Sequence, residues 1–297
     1  MEMDENLAAV HAYLCADGYV CTSEKWKYYR IGLRNTNFVL LKDFQKKFKR
    51  VFGVKPIIRK DGRCEKSSKK IYQEITKKFG SFYSREWRMP EMDEEQLKIW
   101  LRAYFDCEGW VFCKTHQNRH IGADCVNEKG LDQVILALNN LGINTIKKSN
   151  KKRKIYRIYI YGKENLSKFK EEIGFLHPDK VKKIEEVAED YKVYEWTFPE
   201  NELLLATFIK ELLKSKGKIK KDRGIIRLIS KSEENLVRLQ KELKRLFEVD
   251  CKVNKRINGI GTVYFELSIN KQRQVKYLVD KNLLNNEEKQ KWLIWKK

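Results

Sequence analysis

Asp17 and Glu108 each stand directly before a glycine at the end of a short apolar stretch. The stretches are Val10-His11-Ala12-Tyr13-Leu14-Cys15-Ala16-Asp17-Gly18 and Leu101-Arg102-Ala103-Tyr104-Phe105-Asp106-Cys107-Glu108-Gly109. A single carboxylate before a glycine reads as a solvated helix cap. Two of them, at matching positions of similar segments, read as a pair. Two like charges held close repel each other, and a divalent cation relieves that repulsion. Oxygen ligands suit Mg²⁺, with Mn²⁺ as the alternative; such an ion keeps several waters and accepts phosphate oxygens. Helix C-termini pointing at the same place add to the attraction. A cation held there can activate water and stabilise the leaving oxygen of a phosphodiester. Asp17 and Glu108 are therefore the candidate metal-binding and catalytic acids, with Gly18 and Gly109 beside them in the metal site.

Other chemistry-bearing residues point nowhere so definite. His116 and His120 have helical metal-ligand spacing but lie in the polar stretch Thr115-His116-Gln117-Asn118-Arg119-His120, read as a basic loop. The seven cysteines include no C-x-x-C pair, which suits reduced thiols and argues against a zinc site.

The elements that must position the acids come in a repeated unit. After the first acid come a strand-like Trp26 to Leu33, polar Arg34 to Asn37 and a helical Phe38 to Val51. After the second come Ile121 to Cys125, Val126 to Lys129 and a helical Leu131 to Leu141. Each unit continues with a second hairpin. The first hairpin runs over Ile57 to Glu65, with Lys70 to Tyr72 near its end; the other covers Ile146 to Tyr161 and turns at Lys151 to Lys154. A short helix closes each unit. The order is helix, two strands, helix, two strands, helix, and the glycines are expected at positive φ. A third copy begins near Glu202, with an apolar Leu203 to Leu213, a strand at Ile225 to Ile229 and a helix at Leu236 to Phe247. Its hairpin covers Cys251 to Arg256 and Thr262 to Ile269. Aligning the glycines puts Lys216 where Asp17 and Glu108 stand, so this copy is degenerate. The expected divisions are 1–95, 96–183, a charged linker at 184–200, and 201–297.

Two copies of one unit tend to pack about a pseudo-twofold axis. Ala12 and Ala103 would let the two apolar helices approach closely and bring their acidic ends together. Strand alternation puts Trp26, Tyr28, Arg30 and Arg34 on one face and Tyr29, Ile31 and Leu33 on the other. Arg157, Tyr159 and Tyr161 alternate with Ile158 and Ile160 in the same way. A basic, aromatic sheet face suits a DNA major groove.

Composition agrees. Lys and Arg total 63 against 41 acids, a net charge of +22 in 297 residues with 42% hydrophobic residues. That excess calls for a polyanionic partner, with nucleic acid first. No run of about 18 apolar residues suggests a membrane span. The acidic Met1-Glu2-Met3-Asp4-Glu5 is not a secretory leader, so a cytoplasmic protein is expected.

At these residues the chain resembles the LAGLIDADG homing endonucleases, specifically single-chain, two-motif members of the archaeal type. The resemblance runs from about Leu7 to Lys183 and includes Ile173-Gly174-Phe175-Leu176-His177-Pro178-Asp179-Lys180 as the segment closing the second copy. It implies an α+β fold of tandem αββαββα half-domains whose antiparallel sheets form a saddle over DNA, here with a third degenerate copy added. It also implies Mg²⁺-dependent cleavage of both strands of double-stranded DNA at a long specific site, by a monomer. The metal acid is the eighth motif residue, Asp17 or Glu108; Cys15 and Asp106 occupy the sixth. Basic or polar helpers are expected at the strand ends, at Arg34 and Asn35 and at Val126 and Asn127, with Lys114 as a further helper. DNA contacts are expected at Trp26, Tyr28, Arg30, Arg34, Asn35, Arg63, Asn127, Lys147, Lys151, Arg153, Arg157, Tyr159, Tyr161, Lys218 and Lys231. Neither end carries a splicing nucleophile or a His-Asn pair, which reads as a free-standing protein encoded by an intron or an independent gene. The competing reading is a non-cleaving binder or an RNA maturase with the same fold, RNA then being the partner.

Overall fold

The computed structural model describes residues 2–23, 25–115, 118–150, 152–189, 194–220, 222–259 and 262–296. The chain divides into two units, Met1–Tyr191 and Lys192–Lys297. In the first unit α1 (Glu5–Cys15) leads through β1 (Gly18–Ser23), β2 (Tyr28–Arg34), α2 (Phe38–Phe52), β3 (Ile57–Ile58) and β4 (Arg63–Ser67) to α3 (Lys69–Phe79). The pattern then recurs as α4 (Glu94–Glu108), β5 (Gly109–Thr115), β6 (Asn118–Cys125), α5 (Glu128–Asn140), β7 (Ile146–Asn150), β8 (Ile155–Ile160) and α6 (Lys163–Glu172), followed by α7 (Pro178–Ala188). The second unit comprises α8 (Glu202–Lys216), β9 (Lys218–Lys220), β10 (Ile225–Ser230), α9 (Glu233–Phe247), β11 (Lys252–Ile257), β12 (Val263–Ile269), α10 (Gln272–Asp280) and α11 (Asn286–Lys296).

The architecture is mixed α/β, with three antiparallel four-stranded sheets ordered β1-β2-β4-β3, β5-β6-β8-β7 and β9-β10-β12-β11. Their register is shared. Gly18 pairs with Leu33 and Gly109 with Ala123. Four residues past each of those partners stand Asn37 and Asn127, the N-caps of α2 and α5. In the third sheet Lys218 pairs with Arg227, and Ser232 caps α9 at the equivalent place. Each of these caps accepts a backbone N–H that the first helical turn leaves unbonded.

α1 and α4 pack along one another in the first unit. Residues Leu7 to Cys15 are all buried, as expected of a helix that is apolar on every side. Asp4 starts α1 by accepting the Leu7 N–H at 2.7 Å. Asp93 and Gln96 start α4 with a reciprocal capping box. Ala8, Ala12 and Ala103 are within 3% of complete burial; their small side chains let the backbones come close. Trp100 donates from Nε1 to His11 Nδ1 across the pair at 3.0 Å. Burial holds that imidazole at about 3, so it stays a neutral acceptor.

The structure corrects several expectations. The motif glycines are not at positive φ: Gly109 has φ −84° and Gly217 has φ −67°. Glycine is needed there for another reason. A Cβ at Gly109 would lie 2.5 Å from the Phe105 carbonyl oxygen, and one at Gly217 would lie 2.4 Å from that of Leu213. At Gly18 it would lie 2.3 Å from Leu14 Cα. The chain folds straight from helix into strand across its own last turn. Lys70 to Tyr72 belong to α3 rather than to a hairpin, with Ser68 as the cap. Trp26 lies in the β1–β2 turn, before the strand begins. The linker expected at 184–200 is shorter. Ile184 and Val187 are buried in α7, and Phe198 is buried in the core of the second unit.

Candidate active site

Asp17 and Glu108 lie where α1 and α4 end, near enough for the charge of Asp17 to act on Glu108. Burial, followed by the charge of Asp17, pushes the thiol of Cys107, the residue before Glu108, well up. Asn35 Nδ2 donates to Asp17 Oδ2 at 2.7 Å, and Arg34 N donates to the Asp17 carbonyl at 3.1 Å. Asn35 is itself held: its Oδ1 accepts the Asn37 N–H at 2.8 Å and its own N–H reaches Gly62 O at 2.9 Å. The strand end after β2 thus fixes the orientation of Asp17.

Glu108 has different company. Burial, followed by the charges of Asp17 and Asp124, pushes its carboxyl up to about 7. Cys125 and Tyr104 lie near it, and its charge acts on both. The register explains the asymmetry. Asp124 and Cys125 occupy the places that Arg34 and Asn35 hold in the first repeat. The Glu108 side therefore has an acid and a thiol where the Asp17 side has a guanidinium and an amide.

Lys180, on the first turn of α7, is the cation at this place. Its Nζ donates to the carbonyls of Phe105 at 2.9 Å and Asp106 at 2.7 Å. It caps the negative end of α4, and its charge acts on both Asp17 and Glu108. Burial pulls its ammonium below the usual lysine range, against the opposing pull of those acids. Asp106 fastens α7 to α4, its carboxylate accepting the N–H groups of Leu176 and His177 at 3.0 and 2.9 Å. Burial pushes that carboxyl up to about 6. Asp106 is thus an anchor for the segment that carries Lys180. The basic helper named from the sequence, Lys114, is not in this group. It stands five residues beyond Gly109 on β5, some ~17 Å along the strand at about 3.3 Å per residue.

The expected nucleic-acid contacts divide into those on the outer sheet faces and those that are not. Tyr28, Arg30, Arg34 and Arg63 share the outer face of the first sheet. The Arg30 guanidinium lies 4.6 Å over the Tyr28 ring, and Arg63 pairs with Asp61 at 2.6 Å. Trp26, at 71% exposure, projects from the hairpin turn. Arg157, Tyr159 and Tyr161 lie on the outer face of the second sheet, Arg157 bonded to Asp124 at 2.8 Å. Arg153 is exposed in the β7–β8 turn, and Lys151 lies outside the described residues, as does His116.

Two assignments are overturned. Asn127 is buried, bonding Gly130 N at 3.0 Å and the Trp87 carbonyl at 2.6 Å, so it is the structural counterpart of Asn37, not of Asn35. Lys147 pairs with the fully buried Ile158 and so points to the helix side of the sheet. There it is bonded to Glu128 at 3.0 Å and Asp132 at 2.6 Å. In the second unit Lys218 is exposed and pairs with the buried Glu288 at 3.4 Å. Lys231 is half-buried between β10 and α9. Lys216 ends α8 where Glu108 ends α4.

Comparison with known proteins gives a family match and partial likenesses. Curated relatives include a replication factor C small subunit of Thermococcus kodakarensis, 36% identical over 97 residues, 32% of this chain and 11% of that protein. The Methanocaldococcus jannaschii replication factor C small subunit is 31% identical over 110 residues, 35% of this chain and 6% of that protein. A DNA polymerase of Thermococcus kodakarensis is 26% identical over 190 residues, 61% of this chain and 10% of its own length. The chain thus spans about a tenth or less of the curated relatives it matches. Among solved structures, I-DmoI in complex with DNA and Ca is 18% identical with a TM-score of 0.44, covering 61% of this chain and 99% of that one. I-WcaI bound to its DNA recognition sequence is 12% identical, also with a TM-score of 0.44, covering 62% and 88%. The family model described as a LAGLIDADG-like domain matches residues 95–174. Those residues, with Glu108 at their first helix end, match a LAGLIDADG-like domain, so the family model falls on part of the segment in which the sequence shows its resemblance.

Proposed function

We propose that the chain is a site-specific, divalent-metal-dependent endonuclease acting on double-stranded DNA. The observation that carries this reading is the approach of two acids at the ends of paired helices, one half-buried carboxyl being pushed up to about 7 by burial and in part by the charge of the other. Such a pair is short of positive charge. Among the described residues no cluster of three or more His, Cys, Asp and Glu side chains could hold a metal. A cation held by Asp17 and Glu108 would take its other ligands from water, phosphate and backbone oxygens such as those of Gly18 and Gly109, which fits Mg²⁺ or Mn²⁺. When bound, that ion supplies charge stabilisation at the scissile phosphate and favours attack by water.

The chain's own groups do the remaining work. Asn35 orients Asp17, Lys180 holds the end of α4 and adds positive charge, and the Arg30, Arg34 and Arg63 face supplies guanidinium groups that match phosphates and guanine edges. The net charge of +22 provides the sequence-independent part of the affinity. Residues 201–297 form a third repeat without the acid, an accessory nucleic-acid-binding domain. The test is Mg²⁺-dependent linearisation of plasmids from a library covering the host genome, lost on Asp17→Asn or Glu108→Gln. A protein that leaves every plasmid uncut while binding RNA tightly would instead be a maturase.

A further inference from the structure

The outer faces of the first two sheets share a register and differ in chemistry. In the first, Tyr19 lies beneath Gly32 beside Arg30, Arg34, Arg59 and Arg63, and its hydroxyl donates to Glu65 at 2.7 Å. In the second, the outer positions of β5, β6 and β8 hold Trp110, Phe112, His120 and Tyr159, with Tyr161 directly after β8. The alternating residues Ile121, Ala123, Ile158 and Ile160 are fully buried on the other side. The five rings form one continuous patch. Phe112 stacks on His120 at 5.0 Å, and His120 lies 5.2 Å from both Tyr159 and Tyr161. The two tyrosines stack at 5.6 Å, and Trp110 meets Tyr159 edge-on at 6.0 Å. Gly122 keeps room for the indole, since a Cβ there would come within 2.4 Å of it. Burial and the neighbouring Lys148 hold His120 below the usual histidine range, so near neutral pH it is an uncharged flat ring.

Cations border this patch. Lys148 Nζ lies 5.0 Å over the Tyr159 ring, Arg157 follows on β8, and Arg153 is exposed at the adjoining turn. A duplex groove presents hydrogen-bonding edges and phosphates, and in a duplex the faces of the bases are covered by stacking. Ring faces become available when bases are unpaired, and aromatic side chains on a basic sheet are a surface on which they stack.

We propose that the outer face of the β5-β6-β8-β7 sheet binds unpaired nucleobases by stacking on the Phe112, His120, Tyr159 and Tyr161 rings, with Lys148, Arg153 and Arg157 taking the phosphates. This rests on the nucleic-acid reading above and gives the second repeat a ligand that the arginine-lined first repeat does not share. The experiment is fluorescence anisotropy of the full chain with four labelled probes: a thymidine dodecamer, an abasic dodecamer carrying the same phosphates, a uridine dodecamer and a random-sequence duplex. The base-bearing strands should bind at least about tenfold tighter than the abasic strand. Phe112→Leu and Tyr161→Leu should each erase most of that difference, while Tyr161→Phe retains it. A preference for the uridine strand would identify RNA as the source of the bases, and a preference for thymidine would identify DNA. Equal binding of abasic and base-bearing strands would overturn the stacking surface while leaving duplex binding intact. Failure of all four probes to bind would overturn the nucleic-acid reading itself.

Discussion

Asp17 and Glu108 occupy equivalent ends of equivalent helices, yet the groups around them are not equivalent. Asn35 holds the Asp17 carboxylate, while half-buried Glu108 lies near Asp124 and Cys125. The same register delivers an amide to one side and an acid with a thiol to the other. The repeated frame is the same on both sides, and the strand-end residues make the surroundings of the two acids electrostatically different. The two halves should then respond differently to proton, metal and mutation.

The largest effect should come from the acids themselves. Glu108→Gln or Asp17→Asn should cut the cleavage rate by about 100- to 1000-fold, the range for losing one charge-stabilising group at a reacting centre. Plasmid linearisation time courses would measure it, and near-native rates in either variant would break the comparison at its root. Next, Asn35→Ala should slow only the strand that depends on Asp17, by about 10- to 100-fold, as when a group orienting a metal ligand is removed. Nicked plasmid should accumulate; equal slowing of both strands would show that the halves do not act separately.

A smaller effect follows from the raised Glu108 carboxyl. Its folded value of about 7 lies above the ordinary 4.5 of an unfolded glutamate. Between those values the folded chain holds the extra proton, so stability without metal falls as pH rises through that window. Glu108→Gln removes the penalty. In EDTA the variant should melt a few degrees higher than the wild type at pH 8, with the gap closing below about pH 4.5, at roughly 2–4 °C per kcal/mol for a unit of this size. Divalent metal should raise the wild-type melting temperature more as pH increases, because cation and proton compete for one carboxylate. A gap independent of pH would remove Glu108 from that role. The smallest effect lies in the second unit: Gly217→Ala forces a Cβ against the Leu213 carbonyl at 2.4 Å and should cost about 2 kcal/mol. Urea unfolding would show it as an earlier loss of structure, and an unchanged midpoint would mean that the junction can relax.

Much of this was legible in the sequence. The two apolar helices, the acids at their ends and the repeated order of elements follow from periodicity and from glycines at matching places. What was not legible depended on pairing. The hairpins differ in length by one residue, so counting from the glycines sets Asn127 beside the strand-end pair Arg34-Asn35, opposite Thr36, whereas strand register aligns it with the N-cap Asn37. Lys147 reads as an outward cation because every residue of its strand after Ile146 is polar; its pairing with Ile158 turns it inward to the α5 acids. Lys180 lies far along the chain from both acids. Its segment had a signal, a histidine-proline helix start, but nothing local revealed that Asp106 would tether that helix to the end of α4.

The junction glycines have one further consequence. Because backbone crowding alone sets how each helix gives way to its strand, the residue just before the glycine sits in a preset location whatever its side chain. Position 216 can hold a lysine while α8 still turns into β9 as α4 turns into β5. The helix-to-strand junction thus holds without an acid before its glycine, so this architecture can carry other chemistry at that place and stay well folded.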